Sequence, residues 1–546
     1  MNSNQPFHDP QKQDPNVQNS TNGNANNTNP YLHIPPYMRG SYTPTPKEKP
    51  QYRGMDTLFA WLSIAVGFLF VRAMPVTQNS LGGMLFLLVL YAFGGLYLYG
   101  SGVRLGKASL LLAVVVLILS FGMITGGNHT LRGLLFLGLL LAFLYWCYVT
   151  CGLGNMANDN AALYIWRAVF VMPFLSLEHI FPALFSFRKK GENAAKLWRT
   201  LGWTLVGLGV AVIPTAIVIA LLSYDAQFTS LMDRIFSFSL DGAWELIRDL
   251  ILGFLVAIVL FGVLFAVNYK RKKNNGQPEE VSCADLHVLP RALLCAAVTP
   301  ILAVYVIFFI SQWSYYVSAF TNVLPADLTY AAYAREGFFQ LCGVSALNAA
   351  MLLLFNLLIR KNGKPRDVIR TLYSSVISVF TLILIATAIS KMALYINTYG
   401  LTQKRVYATW FMLLLAVVFV LVLIRQATKK LRLFPAIALV CVLFAALITL
   451  PNVDGMIASY NVNAYLSGDL KEVDVDALSG YGTSSVPALV RLRDELTSQN
   501  YTDDTVKELL KQTDQALTLI DMELREQPKG FFTFNFPDAR AEKLLP

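Results

Sequence analysis

Eleven stretches of about 20 apolar residues divide this chain, and no other feature restricts its fold as tightly. They lie near 55–72, 81–100, 107–125, 130–150, 199–223, 246–269, 291–312, 330–359, 368–397, 406–425 and 433–450. Twenty apolar residues in helical form cross the hydrocarbon of a bilayer. Inside lipid every backbone N–H and C=O needs a partner within the protein, which leaves helices as the conformation for such runs. Only 14% of the 546 residues are charged and 55% are hydrophobic, against about 25% charged in an ordinary soluble domain. The expected fold class is all-α: a polytopic membrane helix bundle of about eleven spans, with a small helical extracytoplasmic domain at its C-terminal end.

Charge gives the direction of threading. With the N-terminus inside, the inner segments hold 27 Lys and Arg and the outer loops 8. "KRKK" (270–273) and "RKNGKPR" (360–366) fall where the alternation demands an inner loop. Basic residues retained on the cytoplasmic flank are the ordinary orientation signal. The same sorting explains the net charge of +10: residues 1–450 balance at +17 and residues 451–546 at −7. The excess suits an anionic inner leaflet and is no nucleic-acid footprint, because no zinc-finger spacing or aromatic-and-basic strip accompanies it.

The organisation that follows has five parts. Residues 1–54 are a polar, Asn- and Pro-rich cytoplasmic leader without a cleavable signal, too poor in apolar surface to offset the entropy of ordering. Residues 55–150 form a four-helix membrane segment and 199–450 a seven-helix one. Between them, 151–198 is cytoplasmic, interfacial or re-entrant: "YIWRAVFVMPFLSLEHIFPALF" (164–185) carries Arg167, Glu178, His179 and two prolines, which suits a hairpin better than a span. "FTSLMDRIFSFSLDGAW" (228–244) reads as an interfacial helix. Residues 451–546 are an acidic extracytoplasmic helical domain. There, "VPALVRLRDEL" and "TDDTVKELLKQTDQALTLIDMEL" are amphipathic, with Val506, Leu509, Leu510, Leu517 and Ile520 on one face and Thr502 as cap of the second helix. "GFFTFNF" (530–536) is open between a strand, a wedge under the helices and an anchor in the membrane interface.

One stretch asks for a chemical reading. In "YAAYAREGFFQL" (330–341), Arg335 and Glu336 stand at the mouth of an apolar helix. Spans eight and nine are joined by the short turn "KNGKP", so they are antiparallel neighbours. Counting outward from the turn brings Glu336 and Lys391 to one height. Gln340 follows Glu336 by four residues and Tyr395 follows Lys391 by four, so each pair shares a face. The candidate site is an outward-facing polar cluster of Arg335, Glu336, Gln340, Lys391 and Tyr395, rimmed by Tyr399 and Arg405. Ionisable groups within membranes face the bundle or a cavity and pair there, and structural pairing accounts for the same residues as ligand binding does. Asn348, Asn356, Ser374, Ser375 and Ser378 lie deeper, as a polar path or as interhelical bonds.

Six cysteines form no disulfide framework, and Cys147 with Cys151, though on one helix face, lack the further ligands of a zinc site. No metal or other cofactor is expected. There is no HExxH, the five histidines are scattered, and no GxxxxGK[ST] occurs; Glu178–His179 is a conceivable acid–base pair whose members diverge on a helix. The reading leans away from an enzyme without excluding one.

The segments "YAREGFFQL", "YINTYGLTQKRVYATWF" and "NVDGMIASYNVNAYL" together resemble a bacterial family of multi-pass membrane proteins of unknown function, the domain-of-unknown-function family numbered four-one-seven-three or a close relative, over roughly residues 55–500. The resemblance implies a bacterial inner-membrane protein and supplies no activity and no site residues. Three function classes stay open: a sensor or assembly platform displaying the external domain, a transporter of a small solute or lipid through the polar cluster, and a membrane-embedded enzyme. The expected partners are the lipid bilayer and a protein that meets the external domain or the leader, with no nucleic acid.

Overall fold

The computed structural model describes residues 51–77, 80–155, 161–186, 241–275, 291–311, 338–358, 368–428, 430–498 and 504–545, with a few isolated positions between them. The elements below belong to the compact unit that begins at Tyr52. The leader, most of 199–223 and most of 228–244 lie outside the described residues.

All regular elements among the described residues are helical. Helices α1 (Gly54–Thr77), α2 (Leu81–Gly100), α3 (Lys107–Ser120, with a further turn at Gly122–Thr125) and α4 (His129–Thr150) follow one another. Next come α5 (Asp241–Lys273), α6 (Arg291–Ser311), α7 (Phe338–Leu358), α8 (Val368–Tyr399), α9 (Gln403–Thr428) and α10 (Leu433–Thr449). The C-terminal helices are α11 (Val453–Leu466), α12 (Val486–Ser498) and α13 (Asp504–Glu526).

Seven described helices are long and apolar enough to cross a membrane, and up to nine spans result if each of two bent pairs is one span. This is fewer than the eleven expected, for identifiable reasons. The fifth candidate lies almost wholly outside the described residues. The described apolar stretches of α6 and α7, Cys295–Ser311 and Gln340–Leu352, are short. The run at 433–450 stops as a helix at Thr449; Pro451 follows, and α11 leaves at 58°. The other bent pair is the hairpin candidate: Ala162–Phe174 and Leu177–Leu184 meet at 44°. Its backbone widens into a π turn at Arg167–Val171 and tightens into a 3-10 turn at Met172–Phe174, around Pro173, which has no N–H to continue the ladder.

A dense contact joins α1 to α5, antiparallel and 180 residues apart in sequence. A Cβ on Gly67 would meet the Gly253 carbonyl oxygen at 2.1 Å, and one on Gly253 would meet Phe68 backbone atoms at 2.7 Å. Two backbones can approach this closely only where side chains are absent, the device that substitutes for hydrophobic drive between helices in lipid. One end of the pair is held by Arg72, which bonds Asp249 (3.1 Å) and Glu245 (3.4 Å). At the other end Tyr97 on α2 donates to buried Asp56 on α1 (2.9 Å), and Arg271 donates to the Gly102 carbonyl (3.0 Å). The bent segment closes over α1 and α5 with Ile180, Phe181, Ala183 and Leu184 in a shared core. His179 accepts or donates with Tyr52 Oη at 2.8 Å and packs on Phe265, so its ring is engaged by aromatics.

Helices α1 to α5 share a core around Tyr97, Phe143 and Tyr148. A second core around Ile377, Met412 and Phe419 holds α6 to α9. Within it Asn348 is fully buried: Tyr305 donates to its Oδ1 (2.7 Å) and its Nδ2 donates to Thr381 (2.9 Å). One amide thus ties α6, α7 and α8. Gln426 donates to Ser374 (2.6 Å) and accepts from Ser375, while Ser378 bonds the Ser374 carbonyl. Of the residues read as a path, Asn348, Ser374, Ser375 and Ser378 are therefore engaged in bonds to neighbouring helices or to backbone, and the side chain of Asn356 lies outside the described ones. Asn348→Leu is expected to lower stability in detergent by about 1 kcal/mol, the scale of an interhelical hydrogen bond in membranes, as a shift of the thermal unfolding midpoint.

The ends of the spans fall into two groups. Arg53, Arg104, Lys107, Lys270–Lys273, Arg425, Lys430 and Arg432 lie at the ends shared by the start of α1, the end of α4 and the start of α10. The C-terminal helices lie at the other end, with their own core of Leu478, Leu489, Leu492, Leu517 and Ile520, and with Val506, Leu509 and Leu510 packed against it. Thr502 lies outside the described residues. "GFFTFNF" is a 3-10 turn (Phe531–Thr533) leading into a short helix (Phe536–Ala541), not a strand.

Candidate functional site

Helix α8 ends where Gly400 takes φ +72°, a left-handed position that suits glycine. Arg405, on the first turn of α9, reaches back to the carbonyls of Tyr399 (2.8 Å) and Gly400. A cation at a helix C-terminus satisfies orphan acceptors and faces the negative end of the helix dipole. Its guanidinium lies 4.0 Å from the centre of the Tyr395 ring, and Tyr395 meets Tyr399 edge-on at 5.3 Å. Three members of the predicted cluster, Tyr395, Tyr399 and Arg405, are thereby in one place. Lys391 is buried one turn below Tyr395, and Gln340 is exposed near the start of α7. Arg335 and Glu336 lie outside the described residues.

This corner is fastened to α11. Asn461 accepts from the Leu401 N–H (2.7 Å) and donates to the Leu401 carbonyl (2.8 Å), pairing with one residue as a neighbouring strand would. A Cβ on Gly400 would meet the Asn461 side chain at 2.5 Å, so the turn and its clamp are mutually fitted.

Beside it lies a second polar group that joins four parts of the chain. Asn128 caps α4 by accepting from Leu131 N (2.9 Å), and Asn452 caps α11 by accepting from Gly455 N (3.0 Å). Asp454, only 2% exposed, accepts from Gln403 Nε2 at 2.9 Å and bonds Asn128. Arg132, 3% exposed on α4, reaches the carbonyls of Gly127 (3.3 Å) and Met123 (3.5 Å) and lies in the electrostatic reach of Asp538 and Asp454. Asp538 is fixed in turn by Thr483 (2.6 Å) and by Asn535 (2.5 Å). Burial pushes the Tyr481 phenol above its ordinary range, an effect partly offset by a hydrogen bond with the Gln403 backbone. Gly127 has no room for a side chain, since a Cβ would meet Ser484 and Asn452.

The cavity between Arg132, Asn128, Thr449 and Val453 is about 10 Å³, the lower limit for one water. This junction is packed, and its chemistry is attachment: charges and amides from α4, α9 and α11 hold the C-terminal helices on the spans. In the sequence Arg132 falls without a role inside the apolar stretch 130–150, and Asp454 appears only within a motif. The available signal was two Asn caps, "GNHT" and "PNVDG", each at the head of a helix.

Elsewhere, Cys147 and Cys151 are buried free thiols, and Cys295, Cys342 and Cys441 are also free; Cys283 lies outside the described residues. Among the described residues no group of three or more His, Cys, Asp or Glu could hold a metal. Glu178 and His179 occupy one 3-10 turn, with the ring of His179 turned to Tyr52.

Nothing among curated proteins and nothing among solved structures matches the chain. A family model described as a domain of unknown function, DUF4153, matches residues 109–492, a different number from the one the three motifs suggested. The matched stretch contains Arg132, Gln403, Arg405, Asp454 and Asn461, and this apolar, many-helix chain belongs to the DUF4153 family.

Proposed function

We propose that the protein is a bacterial inner-membrane platform whose spans hold the C-terminal helices in a fixed pose for a protein partner. The observation that carries this reading is the buried junction of Asn128, Arg132, Gln403 and Asp454. A tether would need no charges desolvated at its root, whereas a fixed pose does. The partner surface is α13, where Leu519 and Met522 stand exposed beside Lys507, Lys511 and Asp514 along an open groove of about 660 Å³. Basic residues gathered at the opposite end favour a cytoplasmic N-terminus and an extracytoplasmic C-terminal layer. In this reading no cofactor takes part.

Transport of a small solute or lipid is the second reading, favoured by one observation: Lys391 is buried within a span, and such lysines commonly mark ion or substrate pathways. Photo-crosslinkers at Leu519 and Met522 in living cells separate the two. The platform predicts one discrete protein adduct at both positions, with Lys391→Met leaving it intact and no solute flux in sealed vesicles. Flux that Lys391→Met abolishes, without an adduct on α13, would establish transport instead.

A further inference from the structure

The phenylalanines of the segment 530–536 belong neither to the polar junction nor to the exposed face of α13. Helix α2 has 20 residues, about 30 Å of helix, which matches the hydrocarbon thickness of a bilayer. Its first residue, Leu81, must therefore sit at a hydrocarbon boundary. Two hydrogen bonds tie the C-terminal loop to this point. Leu81 N donates to the Phe534 carbonyl (2.9 Å), and Ser80 Oγ donates to the Phe532 carbonyl (2.6 Å). The loop is consequently held at the depth where acyl chains give way to headgroups.

At that depth it presents four exposed rings: Phe531 (69%), Phe532 (58%), Phe534 (40%) and Phe536 (53%). They form two edge-on pairs, Phe531 with Phe532 and Phe534 with Phe536, each with centroids 5.4 Å apart. The polar groups of the turn are already satisfied internally: Thr533 bonds Gly530, and Asn535 bonds Asp538. What faces outward is hydrocarbon. Arg540, an exposed cation suited to a lipid phosphate, and Lys529, paired with Glu542 at 2.6 Å, flank it.

We propose that Phe531, Phe532, Phe534 and Phe536 form a membrane anchor, inserted into the bilayer interface beside the start of α2. The occupant of this surface is lipid, because the loop's backbone is bonded to a spanning helix at its boundary residue. Insertion of apolar rings to a depth of about 5–10 Å is how interfacial segments bind. The anchor adjoins the junction at Arg132 and Asp454, since Asp538, which faces Arg132, is bonded to Asn535 of this loop. It requires that α2 spans a membrane and does not depend on the platform reading.

The test places p-benzoylphenylalanine at Phe531, Phe532, Val89 or Asp494 of the full chain, in nanodiscs of phosphatidylethanolamine and phosphatidylglycerol. Val89 is an exposed position of α2 and serves as the lipid-facing reference; Asp494 on α12 is the aqueous one. Lipid adducts found by mass spectrometry at Phe531 and Phe532 are expected to match Val89 and to exceed Asp494 by about tenfold. Aqueous-level yields at both phenylalanines while Val89 labels would overturn the anchor. So would a protein adduct replacing the lipid adduct at those positions in native membranes.

Discussion

Gly67→Ala is expected to destabilise the protein by about 3 kcal/mol, the upper range for overpacking a filled interior. A single methyl there points at the Gly253 carbonyl from 2.1 Å, and the obstacle is backbone rather than a side chain that can turn away. Relief requires α1 and α5 to separate, which would also draw Arg72 from Asp249 and loosen the bent segment packed over both. Gly133→Ala on α4 is the matched control: its Cβ would meet nothing within 4 Å, and alanine is better than glycine in a helix by about 1 kcal/mol. The two substitutions should therefore move the thermal midpoint in opposite directions. Equal midpoints would show that the close crossing contributes nothing.

Asp454→Leu is expected to cost about 3 kcal/mol, the scale of breaking one member of a buried charged group. It removes the acceptor of Gln403 and Asn128 and leaves Arg132 in a dry site with less negative charge around it. Pairing Asp454→Leu with Arg132→Met should cost at least about 1 kcal/mol less than the sum of the single changes. Asp538 keeps the relief from being complete, because it also faces Arg132. Limited proteolysis should report the same order, with cleavage near 467–472 appearing first in Asp454→Leu. Additive single effects would mean that the two charges do not communicate.

How far these features could be read from the residues depends on the range of the interaction. Spans such as 81–100 and 130–150 are local facts of composition, and the helices Leu81–Gly100 and His129–Thr150 follow them closely. The apolar face of α13 was equally legible, because Leu517 and Ile520 repeat at helical spacing and lie in the core of the C-terminal helices. The corner at Gly400 was half legible: Tyr395 and Tyr399 are one turn apart, but nothing local says that Arg405 will fold back over them.

Long-range partnerships left no mark. Arg132 and Asp454 are separated by more than 300 residues, and nothing near Arg132 in the stretch 130–150 names a partner for it. Gly67 closes a Ser63-x-x-x-Gly67 spacing and Gly253 opens a Gly253-x-x-x-Ala257 one, the small-residue pattern of close helix crossings, but neither names its partner, so their meeting is visible only once the helices are side by side. The end of α10, by contrast, was legible, since the run 433–450 closes at the cap residue Leu450, where Pro451 and the cap at Asn452 turn the backbone.

The bonds from Ser80 and Leu81 to residues 532–534 also have a bearing on biosynthesis. At about 5–20 residues per second, a ribosome needs roughly 20–90 seconds to travel from one partner to the other. Throughout that interval the second span has an open donor at its leading edge, and it is sealed by a segment that emerges after all the described spans. A chain interrupted shortly before that point would contain every described span yet retain an unsealed seam, giving membrane proteases a chemical means of telling it from a chain in which the seam has closed.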